Sequence, residues 1–355
     1  MSTLTIPASW DDFTPDWINA ALAPHHPGAK VSNVRIIWRN DGTNRRARLG
    51  LTYAQGEGPD TLFIKAEDPA HNDVHVRNGA LFCEAQLFSS NAPLGLDHPL
   101  AYVSLFDTQN NSFLLVMEDI AKRGGEPRDA TSPYTIDQAA NGLRALAKLH
   151  SGYWGFTDQS HPNLAWVEVW SPDRWAIGLN RRVPTGMERG SSVLPAQIAG
   201  MSGEDIVGIW ARYVATLSRS PMTLLHGDAH IGNTYALPGN QVGFLDWQVT
   251  RRGNWSQDVG YFLVGALTLE DRRAHEADLL EIYRQALELP PGQIPSREEA
   301  WLRYRGTPAY GQAIWISTLG TDGWQSRDIC LALVERYAAA YVELGSTEAL
   351  AAIGA

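Results

Sequence analysis

Two short segments near the middle of the chain combine residue types that can do chemistry. The first runs from His226 to Asn233 and reads HGDAHIGN, and the second runs from Gly243 to Asp246 and reads GFLD. An apolar stretch precedes each loop, so we expect two antiparallel strands that place Asp228, Asn233 and Asp246 at one end of a hairpin-like pair. Three hard oxygen donors without a thiolate suit Mg²⁺ rather than zinc. The alternative interpretation is an Asp- and Asn-rich turn between buried strands.

The spacing of these residues resembles that of a known family. The pattern HxDxxxxN, followed by an Asp thirteen residues later, is similar to the catalytic and metal loops of the protein-kinase-like superfamily. The fuller form HGDxHxGN…DWQ is similar to the aminoglycoside phosphotransferase family and its ecdysteroid-kinase-like relatives. The resemblance covers most of residues 30–265, with its parts in the expected order. It implies a kinase that uses ATP and Mg²⁺ to phosphorylate a hydroxyl group of a small molecule.

The resemblance also implies a role for each polar residue of the two loops. Asp228 is expected to accept or orient the proton of the acceptor hydroxyl, and Asn233 and Asp246 are expected to hold Mg²⁺ against the phosphates. Phosphoryl transfer asks the protein mainly for positioning and charge neutralisation, which such side chains supply. The family pattern makes His226 and His230 braces of the loop rather than bases or metal ligands.

A lysine and a glutamate outside these loops are expected to contact the nucleotide. Lys65 ends the apolar run LFIK on a predicted strand, where an unpaired ammonium is costly to bury. The resemblance implies that Lys65 contacts the α- and β-phosphates and forms an ion pair with Glu84 on the following helix. The alternatives are a lysine at a sheet edge that reaches solvent and a solvated glutamate. Further along the chain, Asp258 is expected to be a buried brace that accepts loop amides.

The rest of the nucleotide site is expected from the backbone of two further segments. The segment LLVMEDI resembles the hinge of the family, which implies adenine contacts from the Glu118 carbonyl and the Ile120 amide, with Met117 lining the pocket. The segment DGTNRR stands where the family has its phosphate-covering hairpin, although it holds a single glycine. The residues expected to cover the phosphates are Gly42, Thr43 and Asn44.

Periodicity and turn signals predict the elements that position these residues. Five strands are expected over residues 31–38, 46–53, 61–66, 100–106 and 112–117, as a meander with one helix, 78–89, inserted after the third strand. Further helices are expected over residues 136–150, 203–217, 272–287 and 327–344, with one strand pair of 222–225 and 242–245. The fold class is therefore α+β. With the resemblance it becomes a protein-kinase-like bilobal fold, with an antiparallel N-terminal lobe at 1–120 and a mostly helical C-terminal lobe at 121–355.

Composition and the absence of certain sequence patterns argue against several classes of function. The chain has 355 residues and a formal net charge of −10, which argues against nucleic acid as a partner. The longest apolar stretch is too short to span a bilayer, and the N-terminus lacks the pattern of a signal peptide, so we expect no membrane association. Cys83 and Cys330 form no disulfide framework, which favours the cytoplasm. No P-loop, zincin or nucleophile-elbow motif is present. The oligomeric state stays open.

The acceptor is the least constrained part of the prediction. Ten of the 13 tryptophans lie after residue 150, and no dense run of carboxylates stands near the motifs to bind a polycationic amino sugar. Residues 166–195 show little periodicity and mix aromatic residues with arginines, so we interpret them as a long functional loop. We expect them to line the acceptor site together with Trp301, Tyr304, Trp315 and Trp324. An apolar or aromatic acceptor is therefore favoured over an amino sugar, an amino alcohol or a hydroxyacyl thioester. A kinase-like module that binds nucleotide without turnover is the non-enzymatic alternative.

Overall fold

A computed structural model describes residues 4–41 and 43–354. The chain divides into two compact units, Met1–Ala92 with His98–Gly124 and Pro93–Asp97 with Gly125–Ala355. The predicted boundary after Ile120 lies four residues before the change of unit at Gly124. The sequence did not indicate that Pro93–Asp97 groups with the second unit.

Among its described residues, the first unit contains five strands and three α-helices. Its elements are α1 Pro15–Leu22, β1 Lys30–Asp41, β2 Asn44–Gln55, β3 Thr61–Glu67, α2 Asn72–Arg77, α3 Cys83–Ser89, β4 Ala101–Asp107 and β5 Ser112–Glu118. All five predicted strands are confirmed within three residues at each end. The predicted helix 78–89 begins later, at Cys83, because Gly79 adopts a positive φ of 62° and separates it from α2.

The five strands form one antiparallel sheet in the order β1-β2-β3-β5-β4. The predicted meander is therefore wrong after its third strand. After α2 and α3 the chain enters the sheet at its edge as β4, and β5 then returns between β4 and β3. This order places β5 beside β3, with Lys65 opposite Leu115 and Phe63 opposite Met117.

The two faces of the sheet bury different sets of residues, because successive side chains of a strand point to opposite faces. On β3, Leu62, Ile64 and Ala66 join a core that includes Ile18 of α1. Phe63, on the opposite face, packs against a smaller cluster that includes residues of α3 and β5. Lys65 shares the face of Phe63, so its charge lies beside α3.

The second unit is mostly helical. Its elements are β6 Glu126–Pro127, α4 Ile136–Gly152, α5 Asp173–Arg189, α6 Ala196–Ala199, α7 Gly203–Thr216, β7 Thr223–Leu225, β8 Thr234–Leu237, β9 Gln241–Phe244, β10 Arg251–Gly253, α8 Ser256–Ala266, α9 Leu269–Ala286, α10 Arg297–Gly306, α11 Pro308–Leu319, α12 Arg327–Glu343 and α13 Ser346–Ala352. The helices predicted as 136–150, 203–217, 272–287 and 327–344 correspond to α4, α7, α9 and α12. Capping boxes at Thr135 and Ser202 begin α4 and α7.

Two predictions for this unit are wrong. Residues 166–195 are not a long loop, since they contain the 17-residue helix α5. Only Leu179, Val183 and Gly186 of α5 are buried, so the segment is polar on average, and Pro184 lies inside the helix, where a proline normally predicts a break. The predicted strands 222–225 and 242–245 exist but do not pair: β7 pairs with β10, and β9 pairs with β8. The intervening residues form β8, which reaches β9 through a tight turn.

No helix in the described ranges is both long enough and apolar enough to cross a membrane.

Candidate active site

The loop after β7 is held by the first turn of α8. Asp258 is fully buried and accepts hydrogen bonds from the backbone N–H groups of His226, at 2.7 Å, and Gly227, at 2.9 Å. Gly227 has a φ of 85°, and a Cβ there would overlap the carbonyl oxygen of Val249. The loop therefore requires glycine at this position, and Asp258 is the buried brace that the sequence predicts.

The two histidines of the loop also act as braces. The Nδ1 atom of His226 accepts the N–H of Asp228 at 3.2 Å, and its Nε2 contacts the carbonyl oxygen of Leu245 at 3.0 Å. The Nδ1 atom of His230 accepts the N–H of Gly232 at 3.0 Å, so its proton is on Nε2. Desolvation lowers the pKa of His230 to about 3, so its ring is neutral.

Asp228 and Asn233 are in direct contact. The Nδ2 group of Asn233 donates to the backbone carbonyl of Asp228 at 2.9 Å and to its Oδ2 atom at 3.0 Å. The side chain of Asp228 keeps 29% of its surface exposed, so a small molecule can reach it. Desolvation by the surrounding protein, followed by repulsion from Asp246, raises the pKa of Asp228 to about 7. A cation between the two carboxylates would relieve that repulsion.

Asp246 follows β9 and lies close enough to Asp228 to raise its pKa. It adopts the left-handed conformation, with φ 63° and ψ 67°, which is uncommon for a residue other than glycine and clusters at functional sites. The preceding residue, Leu245, donates its N–H to the carbonyl of Asn233 at 2.9 Å and so joins the two loops. The structure thus brings together Asp228, Asn233 and Asp246, although their strands do not pair as predicted.

The donor set of this cluster fits a hard divalent cation. The amide nitrogen of Asn233 is directed to Asp228, which leaves the Oδ1 oxygen available to a cation, and Asp246 adds a carboxylate. Two protein oxygens with the remaining positions filled by phosphates and water are typical of Mg²⁺ sites. Within residues 4–41 and 43–354, no group of three or more His, Cys, Asp or Glu side chains forms a self-contained metal site.

In the first unit, Lys65 and Glu84 form a buried ion pair between β3 and α3. The Lys65 Nζ and Glu84 Oε2 atoms are 2.5 Å apart, and each side chain is 5% exposed. This geometry excludes the two alternatives from the sequence, a lysine that reaches solvent at a sheet edge and a solvated glutamate. The pair is the one that the sequence predicts, while its contact with phosphates stays a prediction.

The predicted hinge follows β5. Met117 is buried in the smaller cluster that includes residues of α3 and β5, and Glu118 is the last residue of β5. Asp119 is the N-cap of a short 3-10 helix, and its side chain accepts a hydrogen bond from the N–H of Ala121 at 3.3 Å. Ile120 is the first residue of that helix, so its N–H has no intrahelical acceptor and can serve a ligand.

The predicted phosphate-covering turn is described in part. Gly42 lies outside the described residues. Thr43 is half-buried, and its carbonyl oxygen is 3.3 Å from Nε2 of His75 in α2. Asn44 is buried at the start of β2, opposite Glu67 of β3.

The tryptophans of the second unit divide into two groups. Five are buried and therefore belong to the core, namely Trp170, Trp210, Trp247, Trp255 and Trp315. Five are half-buried, namely Trp154, Trp166, Trp175, Trp301 and Trp324. Two residues predicted to line the acceptor site lie elsewhere. Tyr304 is fully buried and donates to Glu276, and Trp301 lines a groove beside Tyr341.

Four aromatic residues form a continuous chain of ring contacts that begins beside Asp228. Tyr261 packs on Tyr310 with ring centroids 5.0 Å apart, Tyr310 on Trp170 at 5.7 Å, and Trp170 on Trp175 at 5.7 Å. We call these residues the aromatic row. The sequence did not indicate Tyr261, although its position three residues after Asp258 puts both on one face of a helix.

Comparison with known proteins identifies the family. The sequence profile described as the phosphotransferase enzyme family, APH, matches residues 84–305, which is more than half of the chain. The chain belongs to this family. The resemblance stated from the two loops is confirmed, and family membership makes the protein a phosphotransferase that acts on hydroxyl groups of small molecules.

Solved structures of such phosphotransferases share the fold. A spectinomycin phosphotransferase in complex with ADP and spectinomycin is 13% identical, over 93% of this chain and 98% of that chain, with a TM-score of 0.53. A choline kinase from Cryptosporidium parvum Iowa II is 10% identical, over 96% of this chain and 97% of that chain, with a TM-score of 0.51. At these identities the likeness concerns the fold alone, and it confirms the predicted α+β protein-kinase-like class. No curated protein matches the sequence.

Proposed function

We propose that this phosphotransferase uses ATP and Mg²⁺ to phosphorylate a hydroxyl group of a small, apolar or aromatic acceptor. The observation that carries the proposal is the cluster of Asp228, Asn233 and Asp246, with a hydrogen bond between the first two and left-handed backbone at the third. The spectinomycin phosphotransferase of the same fold binds ADP, which supports an adenine nucleotide.

Each residue of the cluster then has a defined task. The Asp228 carboxylate accepts the proton of the acceptor hydroxyl. The oxygen of that hydroxyl forms a bond to the γ-phosphorus, and the bond between this phosphorus and the β,γ-bridging oxygen breaks, which releases ADP. The Oδ1 atom of Asn233 and the carboxylate of Asp246 would hold Mg²⁺, which neutralises the charge of the phosphates.

The first unit supplies the residues proposed for the nucleotide. Lys65, held by Glu84, contacts the α- and β-phosphates, and the turn at Gly42, Thr43 and Asn44 covers them. The carbonyl of Glu118 and the N–H of Ile120 bind the adenine edge, with Met117 behind the base. The N–H of Ile120, which has no acceptor within the 3-10 helix that it begins, supports this role.

The proposal of an apolar or aromatic acceptor rests on the aromatic row. The row runs from the neighbourhood of Asp228 to Trp175, which is half-buried and can contact a ligand. Beyond Asp228, its neighbouring charge is cationic: the guanidinium of the buried Arg251 lies 5.8 Å from the ring centre of Trp170. Arg182, on the same helix as Trp175, lies 4.6 Å from the ring centre of Trp324. Arginines in these positions disfavour a polycationic amino sugar.

A screen of acceptors with ATP and Mg²⁺, read as ADP release, tests the proposed function. We expect acceptor-dependent ADP release that requires Mg²⁺ and is lost in the Asp228→Asn variant. Release without any dependence on acceptors would contradict the proposal of a specific acceptor site. The absence of release, together with tight nucleotide binding, would instead favour a module that binds nucleotide without turnover.

A further inference from the structure

Two polar aromatic side chains lie buried behind the Asp228 loop. Tyr261 of α8 is 1% exposed and Trp315 of α11 is 4% exposed. Both pack edge-on against the ring of His230, with centroids 5.8 Å and 4.9 Å apart. The ring whose Nδ1 braces the loop is thus held from behind by two residues that each carry a hydrogen-bond donor.

The hydroxyl of Tyr261 lies near the loop carboxylate. Tyr261 packs on His230, whose Nε2 atom is 3.8 Å from Oδ2 of Asp228, and Trp315 packs on the same His230 ring. The hydroxyl is close enough to Asp228 and to the indole of Trp315 to interact with both. Within the described residues, neither the Tyr261 hydroxyl nor the Trp315 Nε1 atom has a partner at full hydrogen-bond geometry. A buried hydroxyl without a complete hydrogen bond is unfavourable for stability, so its presence asks for an explanation.

The Asp228 carboxylate needs a second donor for a fixed orientation. Its Oδ2 atom accepts from Asn233, and the Nε2 atom of His230 is 3.8 Å from the same oxygen. Asp258 and Tyr261 are three residues apart on α8, so one helix face holds the loop backbone through Asp258 and reaches the loop side chain through Tyr261. Burial raises the pKa of Tyr261 well above its usual range, so the hydroxyl stays protonated as a donor.

We propose that Tyr261 is a positioning residue for Asp228. Its hydroxyl donates to the carboxylate and holds it toward the acceptor, while the N–H of Trp315 donates to the Tyr261 oxygen and fixes the direction of that hydroxyl. This inference rests on the proposed role of Asp228 as the group that accepts the proton. The purely structural alternative is that Tyr261 only fills space, since its ring also packs on Tyr337 at 5.3 Å.

The variant Tyr261→Phe separates the two roles, because it keeps the ring and removes only the hydroxyl. Release of ADP from Mg·ATP is measured with water as the acceptor and with the best acceptor of the screen. We expect kcat to fall about tenfold, the loss typical of a hydrogen bond to a charged group, with the KM for Mg·ATP and the melting temperature unchanged. Trp315→Phe is expected to lower kcat by a smaller factor of about three, because it acts through Tyr261.

The matched control is Tyr213→Phe. Tyr213 of α7 is a buried tyrosine whose hydroxyl also lacks full hydrogen-bond geometry to any described residue, and its ring lies 6.4 Å from that of Tyr310. The same chemical change there is expected to leave kcat at the wild-type value. A fall of kcat in Tyr213→Phe equal to that in Tyr261→Phe would overturn the proposal in favour of general packing.

A double variant tests whether Tyr261 acts through Asp228. In the Asp228→Asn background, Tyr261→Phe is expected to cause no further loss of kcat, because the carboxylate that it positions is already absent. Additive losses would overturn the proposal. If Tyr261→Phe has the wild-type kcat while Asp228→Asn is inactive, the inference is wrong and the proposed function stands. If the wild-type protein releases no ADP with any acceptor, the proposed function fails and the inference falls with it.

Discussion

At the scale of single residues, the two acidic side chains of the cluster have separable tasks. Asp228 keeps an exposed face and contacts Asn233, whereas Asp246 adopts a left-handed backbone conformation after β9. In the proposed function, Asp228 receives a proton from the acceptor, and Asp246 contacts a metal and the phosphates. Substitutions at the two positions should affect different steps.

We expect Asp228→Asn to lower kcat by about two to four orders of magnitude and to leave the affinity for Mg·ATP within a few-fold, because in the proposed mechanism the side chain contacts the acceptor and not the triphosphate. Asp246→Ala should abolish turnover and also weaken Mg·ATP binding. ADP release and titration calorimetry measure the two effects. Asp322→Asn, at a carboxylate whose side chain is 89% exposed, is the matched control. Wild-type turnover by Asp228→Asn with the true acceptor would refute the assignment of this loop.

A second prediction at this scale concerns Gly227. Its φ of 85° and the neighbouring Val249 carbonyl leave no room for a side chain. We expect Gly227→Ala to lower the free energy of unfolding by more than about 2 kcal/mol, from backbone strain and displacement of the carbonyl. Gly152→Ala, where a Cβ meets no atom within 4 Å, is the control and should be neutral or slightly stabilising. Denaturant unfolding of both variants measures the difference, and equal stability would contradict the argument.

At the scale of elements, the sequence predicts local structure better than it predicts pairing. The strands of the first unit are recognisable because turn residues bound short runs of β-branched residues. The order β3-β5-β4 is not recognisable, since strand neighbours depend on how α2 and α3 return the chain to the sheet. The helix α5 is not recognisable as a helix because its residues are polar on average and Pro184, which normally ends a helix, lies inside it.

The same contrast holds for the candidate site. Asp228, Asn233 and Asp246 were predicted to meet, and they do, but through contacts that the sequence does not show. Leu245 joins the loops through its N–H and carbonyl groups, and Asp258 holds the loop from another helix. Backbone contacts of this kind leave no signature in residue type. Tyr261 was missed for a related reason, because a tyrosine in an apolar helix is usually part of the core.

The buried ion pair between β3 and α3 leads to a third prediction. Lys65 and Glu84 are both buried, so removing one leaves the other as an uncompensated charge. We expect Lys65→Met to lower the free energy of unfolding by about 3–5 kcal/mol and to abolish phosphoryl transfer. The double variant Lys65→Met/Glu84→Met should recover most of the stability and none of the activity.

Denaturant unfolding and ADP release of both variants test this prediction. Lys122, which pairs with Asp60 at an exposed position, offers the control Lys122→Met, with an expected change below about 1 kcal/mol. If the double variant regained transfer, Lys65 would have only a structural role.

At the scale of the whole molecule, the net charge favours a cationic acceptor, whereas the charges near the aromatic row disfavour one. The formal net charge is −10, which would attract a cationic acceptor from solution. Two arginines add positive charge locally: the buried Arg251 lies over Trp170 of the aromatic row, and Arg182, on the same helix as Trp175, lies over Trp324. Short-range contacts decide which ligand is retained, because charges separated by more than about 10 Å are largely screened at ordinary ionic strength.

The acceptor class can therefore be decided by binding at the aromatic row. With a non-hydrolysable ATP analogue and Mg²⁺ present, we expect alcohols that carry aryl or fused rings to raise the melting temperature more than aminoglycosides do. Burial of apolar surface is favourable by about 25 cal/mol per Å², whereas a polyamine next to arginines remains unpaired. Trp175→Ala should reduce the shift caused by aryl alcohols, because Trp175 is the half-buried end of the row. Trp301→Ala, in a separate groove beside Tyr341, should leave it unchanged. If aminoglycosides alone raised the melting temperature, and Trp175→Ala left that rise unchanged, the proposed acceptor class would be wrong. The assignment to the phosphotransferase family would stand, since it depends on residues 84–305 and not on the acceptor.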